Sequence, residues 1–402
     1  MIEEPYMKKL KYLLFATPLL LVACIRPPVP DVEQAIQNAD PNTVIPLGGG
    51  ESPDVYYSTA LPVVLSPTRG LILDAINNRA DVEQVEMSLM RLATEFFDPN
   101  DYFFREGQHL TREFIGNVLQ PYDPELQQPL DASVEFSAGL NPPIGSSHNY
   151  SDDTSVESTE ENPVEHLIYV LEQNFVSIHE DEQGEAHIQL EGVAIGLALN
   201  RYHWLRDRTI GFEQELYISE EEIIAIGQEI AAELLPLLRQ QEGLEDVPIV
   251  IGLFILQSYR ETIPGGFASI AYIERGRVIN DWDPVYEKHF RLPDSGGINA
   301  YDVNINDEFI AFDNTIENYF RRHGLVARAH VVNEEIYRIT MTFNMSFLGL
   351  AEKISFHQLL EQEVMKFSPQ YDIRIIVRSP DAQHGAVTRP PGGEATVTRI
   401  SW

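Results

Sequence analysis

The chain of 402 residues has one cysteine, Cys24, and only six lysines against 22 arginines. A single cysteine excludes any internal disulfide, so an exported fold of this size must be held by its core. Positive charge carried on arginine survives at high pH, whereas lysine discharges near pH ~10.4; the composition suits alkaline or salty medium. Basic residues are scarce overall, 28 against 62 acids, for a net charge of -34. Such a surface repels phosphate backbones and anionic head groups, which argues against nucleic acid as a partner. Catalytic signatures are also missing: no GxxxxGK[ST], no GxGxxG opening a helix after a strand, no GxSxG and no HExxH. The 11 histidines are scattered, with no i,i+4 pair to make a helical metal face. What is present is apolar mass, 44% hydrophobic and 10% aromatic, enough for one large or two medium domains.

Residues 1–23 read as a lipoprotein signal peptide. Lys8, Lys9 and Lys11 form a positive n-region, and residues 12–22 make an apolar run too short to span a bilayer. Leu21-Val22-Ala23-Cys24 matches the bacterial lipobox, so signal peptidase II and the prolipoprotein acyl transferase are expected partners. Diacylglyceryl-Cys24 would hold the chain on the outer face of the cytoplasmic membrane; stable anchoring takes two acyl chains. The alternative is that Cys24 is an ordinary small apolar residue. Glu3 and Glu4 oppose the positive-inside logic of an n-region, which places the start at Met7 as readily as at Met1. Residues 24–53 carry six prolines and a Gly48-Gly49-Gly50 run, the composition of a tether.

From about Tyr56 the chain has globular patterning. Val82, Val85, Leu89, Leu92 and Phe96 lie on one face of an expected helix over 81–97, with Asp81 and Gln84 as its cap. Residues 141–162 combine turn formers with acids and read as an exposed, mobile acidic loop. Pro163 then opens an expected helix with Leu167, Ile168, Leu171 and Phe175 as its stripe. Strands are expected at 187–202, with a hairpin partner near 209–218, at 247–256, covered on both faces, at 267–273 and at 277–279. Ser219 and Glu222 make a capping box for a helix to Leu235. Further helices are expected over 307–322 and 355–367, a hairpin over 325–347 turning at Asn333-Glu334, a strand at 372–378 and a terminal hairpin around 390–393. Mixed elements without steady βαβ alternation give an α+β fold with largely antiparallel sheets. Ile195-Gly196-Leu197 recurs as Ile251-Gly252-Leu253, a weak sign of two related halves, 54–210 and 211–402.

No residue is assigned a catalytic or cofactor role, and no metal is expected. Asp302, Asn304, Asn306 and Glu308 approach a calcium loop, but Asp307 stands where the sharp turn needs glycine, and Phe309 and Phe312 belong to a helical stripe. Capping of that helix is the simpler reading. A carboxylate pair for hydrolysis stays open, since such pairs are assembled in space. The aromatic residues Tyr56, Tyr57, Tyr102, Phe103 and Phe104 are candidates to line a cleft for a cell-wall fragment or small molecule, core packing being the alternative.

The order of segments resembles the CamS lipoproteins of Gram-positive bacteria. The lipobox signal is followed by YYSTALPVVLSPTRG at 56–70, LMRLATEFFDPNDYFFREGQHL at 89–110 and YVLEQNF at 169–175. GVAIGLALN at 192–200, VPIVIGLF at 247–254 and IPGGFASIAYIERG at 263–276 complete the pattern. The resemblance implies two related repeats and a sex pheromone precursor, in which the named product is a short peptide cut from the end of the signal sequence. Here that peptide is Thr17, Pro18, Leu19, Leu20, Leu21, Val22 and Ala23, an uncharged apolar segment; an inert remnant is the alternative. The implied folded domain is non-enzymatic.

Overall fold

Ile195-Gly196-Leu197 and Ile251-Gly252-Leu253 lie side by side, paired in parallel and in register on two central strands. The recurrence is therefore one shared packing seat within a single sheet; the two related repeats are the two large sheets described below, each with its helices. A methyl on Gly252 would stand 2.6 Å from the Phe267 ring, and one on Gly196 3.2 Å from Leu89. The paired glycines leave room for the helix that carries Leu89.

The computed structural model describes residues 45–47, 56–76, 78–123, 139–180, 186–206, 213–321, 324–347 and 349–399. The signal peptide, the lipobox, Cys24 and the candidate peptide 17–23 lie outside the described residues. Within the expected tether, Ile45–Leu47 is a strand, β1, paired antiparallel with β2, Thr59–Leu61. Helix α1 (Leu71–Ala75) and helix α2 (Arg79–Ala93) follow, then β3 (Phe103–Glu106) and α3 (Arg112–Val118). A small hairpin, β4 (Ser147–Asn149) and β5 (Ser155–Glu157), precedes the long pair β6 (Leu167–Glu180) and β7 (Ala186–Leu199). A second small hairpin, β8 (Tyr202–Arg206) and β9 (Glu213–Tyr217), leads to α4 (Glu220–Leu238), β10 (Ile249–Ile255), β11 (Gly266–Ile273) and β12 (Asp283–Pro284). The remainder runs β13 (Glu287–Leu292), α5 (Ile305–Tyr319), β14 (Gly324–Val332), β15 (Glu335–Asn344), α6 (Leu350–Val364), β16 (Asp372–Arg378), β17 (Gln383–Arg389) and β18 (Thr396–Arg399).

Besides the two small hairpins, the described residues form two large sheets, ordered β1-β2-β3-β6-β7-β10-β11-β12 and β13-β14-β15-β16-β17-β18. The fold is α+β and largely antiparallel. From β3 to β12 the neighbours pair antiparallel, antiparallel, parallel, antiparallel, antiparallel, and from β13 to β18 the sequence of pairings is the same. Each parallel step is bridged by a crossover helix, α4 in the first sheet and α6 in the second. The chain passes from one sheet to the other between Pro284 and Glu287, so the boundary expected near 210 falls inside the first sheet.

The first sheet is buried on both faces: α3 and α4 cover Val193, Ile195, Ile251 and Leu253, while α2 covers Ala194, Ala198, Val250 and Phe254. The second sheet buries one face, where α5 and α6 pack on Ile339, Met341, Phe343, Ile373 and Ile375. Its other face is polar and turns toward α2. Two-sided burial also explains a misread element. Residues 163–175 are not a helix: β6 begins at Leu167, and a short run with apolar residues on both faces has no period that separates helix from strand. The partner of β7 is β6, and the hairpin near 209–218 is β8 with β9. Residues 277–279 form no strand. The acidic segment 141–162 is an ordered hairpin, since Asn141 accepts from the His166 and Leu167 amides, both at 2.8 Å, and Tyr150 and Val156 are buried.

Helix starts also moved. Asn78 caps α2 through the Ala80 amide, and Gly349 precedes α6, leaving Ser355 within it. Ser219 caps α4 through the Glu222 amide as expected, and the helix continues through Pro236. Asp81, freed from capping, is fully buried and accepts from the Gln257 amide at 3.1 Å and the Gly265 amide at 2.6 Å. Burial outweighs those bonds and raises its carboxyl from 3.8 to about 7. A carboxyl pKa raised in the folded state gives stability that is complete below the unfolded value and is lost as pH rises through the folded one. Asp81→Asn removes that titration, so the melting temperature of the variant relative to the parent is expected to rise between pH 4 and 7. A difference flat across that range would refute it.

Candidate functional site

The polar face of the second sheet and α2 enclose a cleft of about 490 Å³. Strand alternation supplies its wall. Arg328 of β14, Thr340 of β15, Arg374 of β16 and Thr388 of β17 stand opposite one another in successive pairs, forming a row across four strands. His289, His330, Arg338 and Asp372 form the adjacent row. Residues directly opposite on paired strands share a face, so three arginines project from one surface. The facing wall is α2, which offers Glu83, Gln84, Glu86, Met87, Ser88 and Arg91, with Tyr56 alongside.

Glu287 pins the two walls together. Its fully buried carboxylate accepts from Ser88 Oγ at 2.5 Å, His330 Nε2 at 2.7 Å, Arg91 Nη2 at 3.3 Å and the Phe267 amide at 3.0 Å. Burial pushes this carboxyl up, but the His330 hydrogen bond and the charges around it, Arg91 among them, prevail and hold it at about 2. Burial lowers His330, so the ring is neutral at pH 7 and gives its Nε2 proton to Glu287. His289 stacks on His330 with ring centroids 4.2 Å apart, and its Nδ1 donates to the Gly265 carbonyl at 2.9 Å. Burial holds His289 well below the ordinary histidine value as well. Its Nε2 has no partner among the described residues.

Arg338 bonds Asp372 at 2.7 Å and Arg374 reaches the same carboxylate at 3.4 Å, so two guanidiniums share one acid. Arg328 makes no hydrogen bond or ion pair among the described residues, although it is half-buried. Tyr56 Oη and Tyr337 Oη meet at 3.0 Å across the mouth, one from each repeat. The arrangement offers oriented donors on one wall and acids on the other.

The five aromatic candidates do not gather into one pocket. Tyr56 lines this cleft; Tyr57 is 2% exposed, donates to the Phe97 carbonyl at 2.6 Å and packs on Phe175. Tyr102 meets the Phe97 ring, Phe103 and Phe104 lie on β3, and Phe104 lines a separate cavity beside Glu106 and Tyr169. Asp302, Asn304, Asn306 and Glu308 diverge: Asp302 accepts from Tyr371 at 2.7 Å, and Glu308 from Ser368 at 2.5 Å. Among the described residues no three His, Asp or Glu side chains are placed to hold a metal, and no helix is long and apolar enough to cross a membrane. The arginines of the cleft were not singled out in the sequence. Their signal was the alternation of Arg328, Arg338 and Arg374 with buried Ala327, Ile339 and Ile373, which announces a polar face without saying what covers it.

Among curated proteins no match is found. Among solved structures, a sex pheromone precursor from Lactobacillus salivarius subsp. salivarius UCC118 is 21% identical, with a TM-score of 0.73 over 89% of this chain and 99% of that one. The C-terminal domain of the sex pheromone staph-cAM373 precursor from Staphylococcus aureus is 23% identical, with a TM-score of 0.64 over 82% of this chain and all of that one. Both likenesses show the shared two-sheet fold. The family model for the CamS sex pheromone cAM373 precursor matches residues 64–395, which spans both sheets, and the chain therefore belongs to the CamS family.

Proposed function

We propose that the protein is an exported CamS precursor, anchored at the outer face of the cytoplasmic membrane through diacylglyceryl-Cys24. Its signal peptide yields the peptide TPLLLVA, Thr17 to Ala23. The observation that carries this reading is the order of lysines, apolar run and Leu21-Val22-Ala23-Cys24 ahead of a CamS chain. Signal peptidase II would cut before Cys24 once the acyl transferase has lipidated it, and a second proteolytic cut in the released signal peptide, between Ala16 and Thr17, would free the heptapeptide. A small apolar peptide released in the membrane can then partition outward.

Mass spectrometry of the native host is the test. An acylated N-terminal Cys24 in the membrane fraction and free TPLLLVA in the supernatant are expected, and Cys24→Ala is expected to abolish both. Lipidated Cys24 without the peptide would remove the pheromone half of the proposal, and an uncleaved chain would remove all of it.

The folded part acts by binding and not by catalysis. The observation favouring that second reading is the cleft between the repeats: a polar sheet face covered by α2 yet left open, with an unpaired arginine on its wall.

A further inference from the structure

The cleft concentrates three arginines on one sheet face of a protein whose net charge is -34. A half-buried guanidinium without an acid beside it carries a desolvation cost that an anion relieves. Arg328 has no acid within hydrogen-bond or ion-pair reach among the described residues, Glu83 of α2 acting on it only from farther across the cleft. Arg338 and Arg374 both reach the Asp372 carboxylate, which holds their guanidiniums on this wall. The hydroxyls of Thr340 and Thr388 sit in the same row as Arg328 and Arg374. Arginine with threonine is a donor set suited to an oxyanion, since the guanidinium offers paired N–H groups that match carboxylate and phosphate geometry.

A second observation points to a ligand that carries a hydroxyl as well as an anionic end: with its Nδ1 proton directed at Gly265 and burial holding the ring neutral, His289 offers a bare acceptor at Nε2. His289 is more than nine-tenths buried, lines the cleft and leaves Nε2 without a partner. Buried polar atoms are ordinarily satisfied, and this one lies beneath the same opening. On the opposite wall, Glu83 and Glu86 disfavour an anion against α2. Burial, with Glu106 and then Glu83 close by, raises the Glu86 carboxyl and so favours its neutral form. Glu287 is occupied by Arg91, Ser88 and His330. The field across the cleft therefore orients a ligand with its negative end on the sheet.

Resting on the reading of the folded part as a binding domain, we propose that this cleft holds a small organic oxyanion, a phosphate ester or a carboxylate, against Arg328, Arg374, Thr340 and Thr388. A cleft of about 490 Å³ lies within the size range of small-molecule sites and admits a sugar-sized body. In a wall-facing protein, both a glycerol phosphate and the lactyl carboxylate of a muramic acid carry this chemistry.

Isothermal titration of the full chain in detergent tests it with three probes: glycerol 3-phosphate, N-acetylmuramic acid and the neutral N-acetylglucosamine. At least one anion is expected to bind tenfold or more tightly than the neutral sugar, and to weaken as salt rises. Arg328→Gln is expected to weaken that anion at least tenfold. Arg291→Gln, which changes an exposed residue of the same row outside the cleft, should move it less than twofold, with both variants keeping the parental melting temperature. Which anion wins distinguishes the phosphate source from the carboxylate one. Neutral sugar binding equally well and indifferent to Arg328→Gln would overturn the anion assignment while leaving a binding cleft. No binding of any probe would overturn both.

Discussion

Glu287→Ala is expected to lower the unfolding free energy by about 3–5 kcal/mol, the usual cost of removing one partner from a buried ion pair. The carboxylate is the common acceptor for Ser88 and Arg91 on α2, the Phe267 amide on β11 and His330 on β14. Its loss leaves a largely buried arginine without its acid and cuts the polar link between the repeats. Thermal unfolding with separate probes for the two sheets reads the result, and transitions that coincide in the parent should separate in the variant. The same carboxylate sets an acid limit. Its pKa is depressed from 4.5 to about 2, so its contribution is whole above the unfolded value and is lost as pH falls through the folded one. The gap between parent and Glu287→Ala should therefore narrow between pH 4.5 and 2. A gap that stays constant would show that the site acts by packing alone.

Arg389→Leu is the second large effect. Arg389 is 2% exposed and donates to the carbonyls of Val364 at 3.0 Å, Phe367 at 2.8 Å, Ser368 at 2.6 Å and Tyr371 at 3.2 Å. These are the last carbonyl of α6 and the turn into β16; the Val364 and Ser368 carbonyls also accept long bonds from the Phe367 and Tyr371 amides, both at 3.4 Å. Each buried carbonyl left unpaired costs about 1–3 kcal/mol, so a loss of several kcal/mol is expected in urea or thermal unfolding. Arg389→Lys should fall between, because a single ammonium cannot span four acceptors. The first repeat clamps the corresponding turn from a different element: Arg239, at the end of α4, donates to Leu244 and Val247 before β10 and to Gly276 beyond β11. An Arg389→Leu variant within 1 kcal/mol of the parent would mean that water satisfies these carbonyls.

Local chemistry was legible wherever one strong rule applied. The capping box at Ser219, the fully buried strand over 249–255 and the hairpin at Asn333-Glu334, whose two residues take positive φ, follow from patterns a few residues long. The α+β class followed from the alternation of such elements. Strands buried on both faces were harder: Leu167, Val170 and Phe175 fit a helical stripe as well as β6 until β7 is laid beside them. Asp81 looked like a cap because a cap needs only a nearby amide, and the amides that it binds, Gln257 and Gly265, lie more than 170 residues away.

By itself the sequence determined what acts within a turn or two of chain: the acidic charge, the capping box at Ser219 and the period-two alternation that gave β14, β15 and β16 one polar face. Tertiary structure alone decided that α2 covers this face, that Glu287 joins the repeats, and that Arg328 stands unpaired between them. The reason is physical. Capping and alternation depend on neighbours in the chain, whereas a cleft is made by side chains brought together across 200 residues, and no periodicity records which faces will meet.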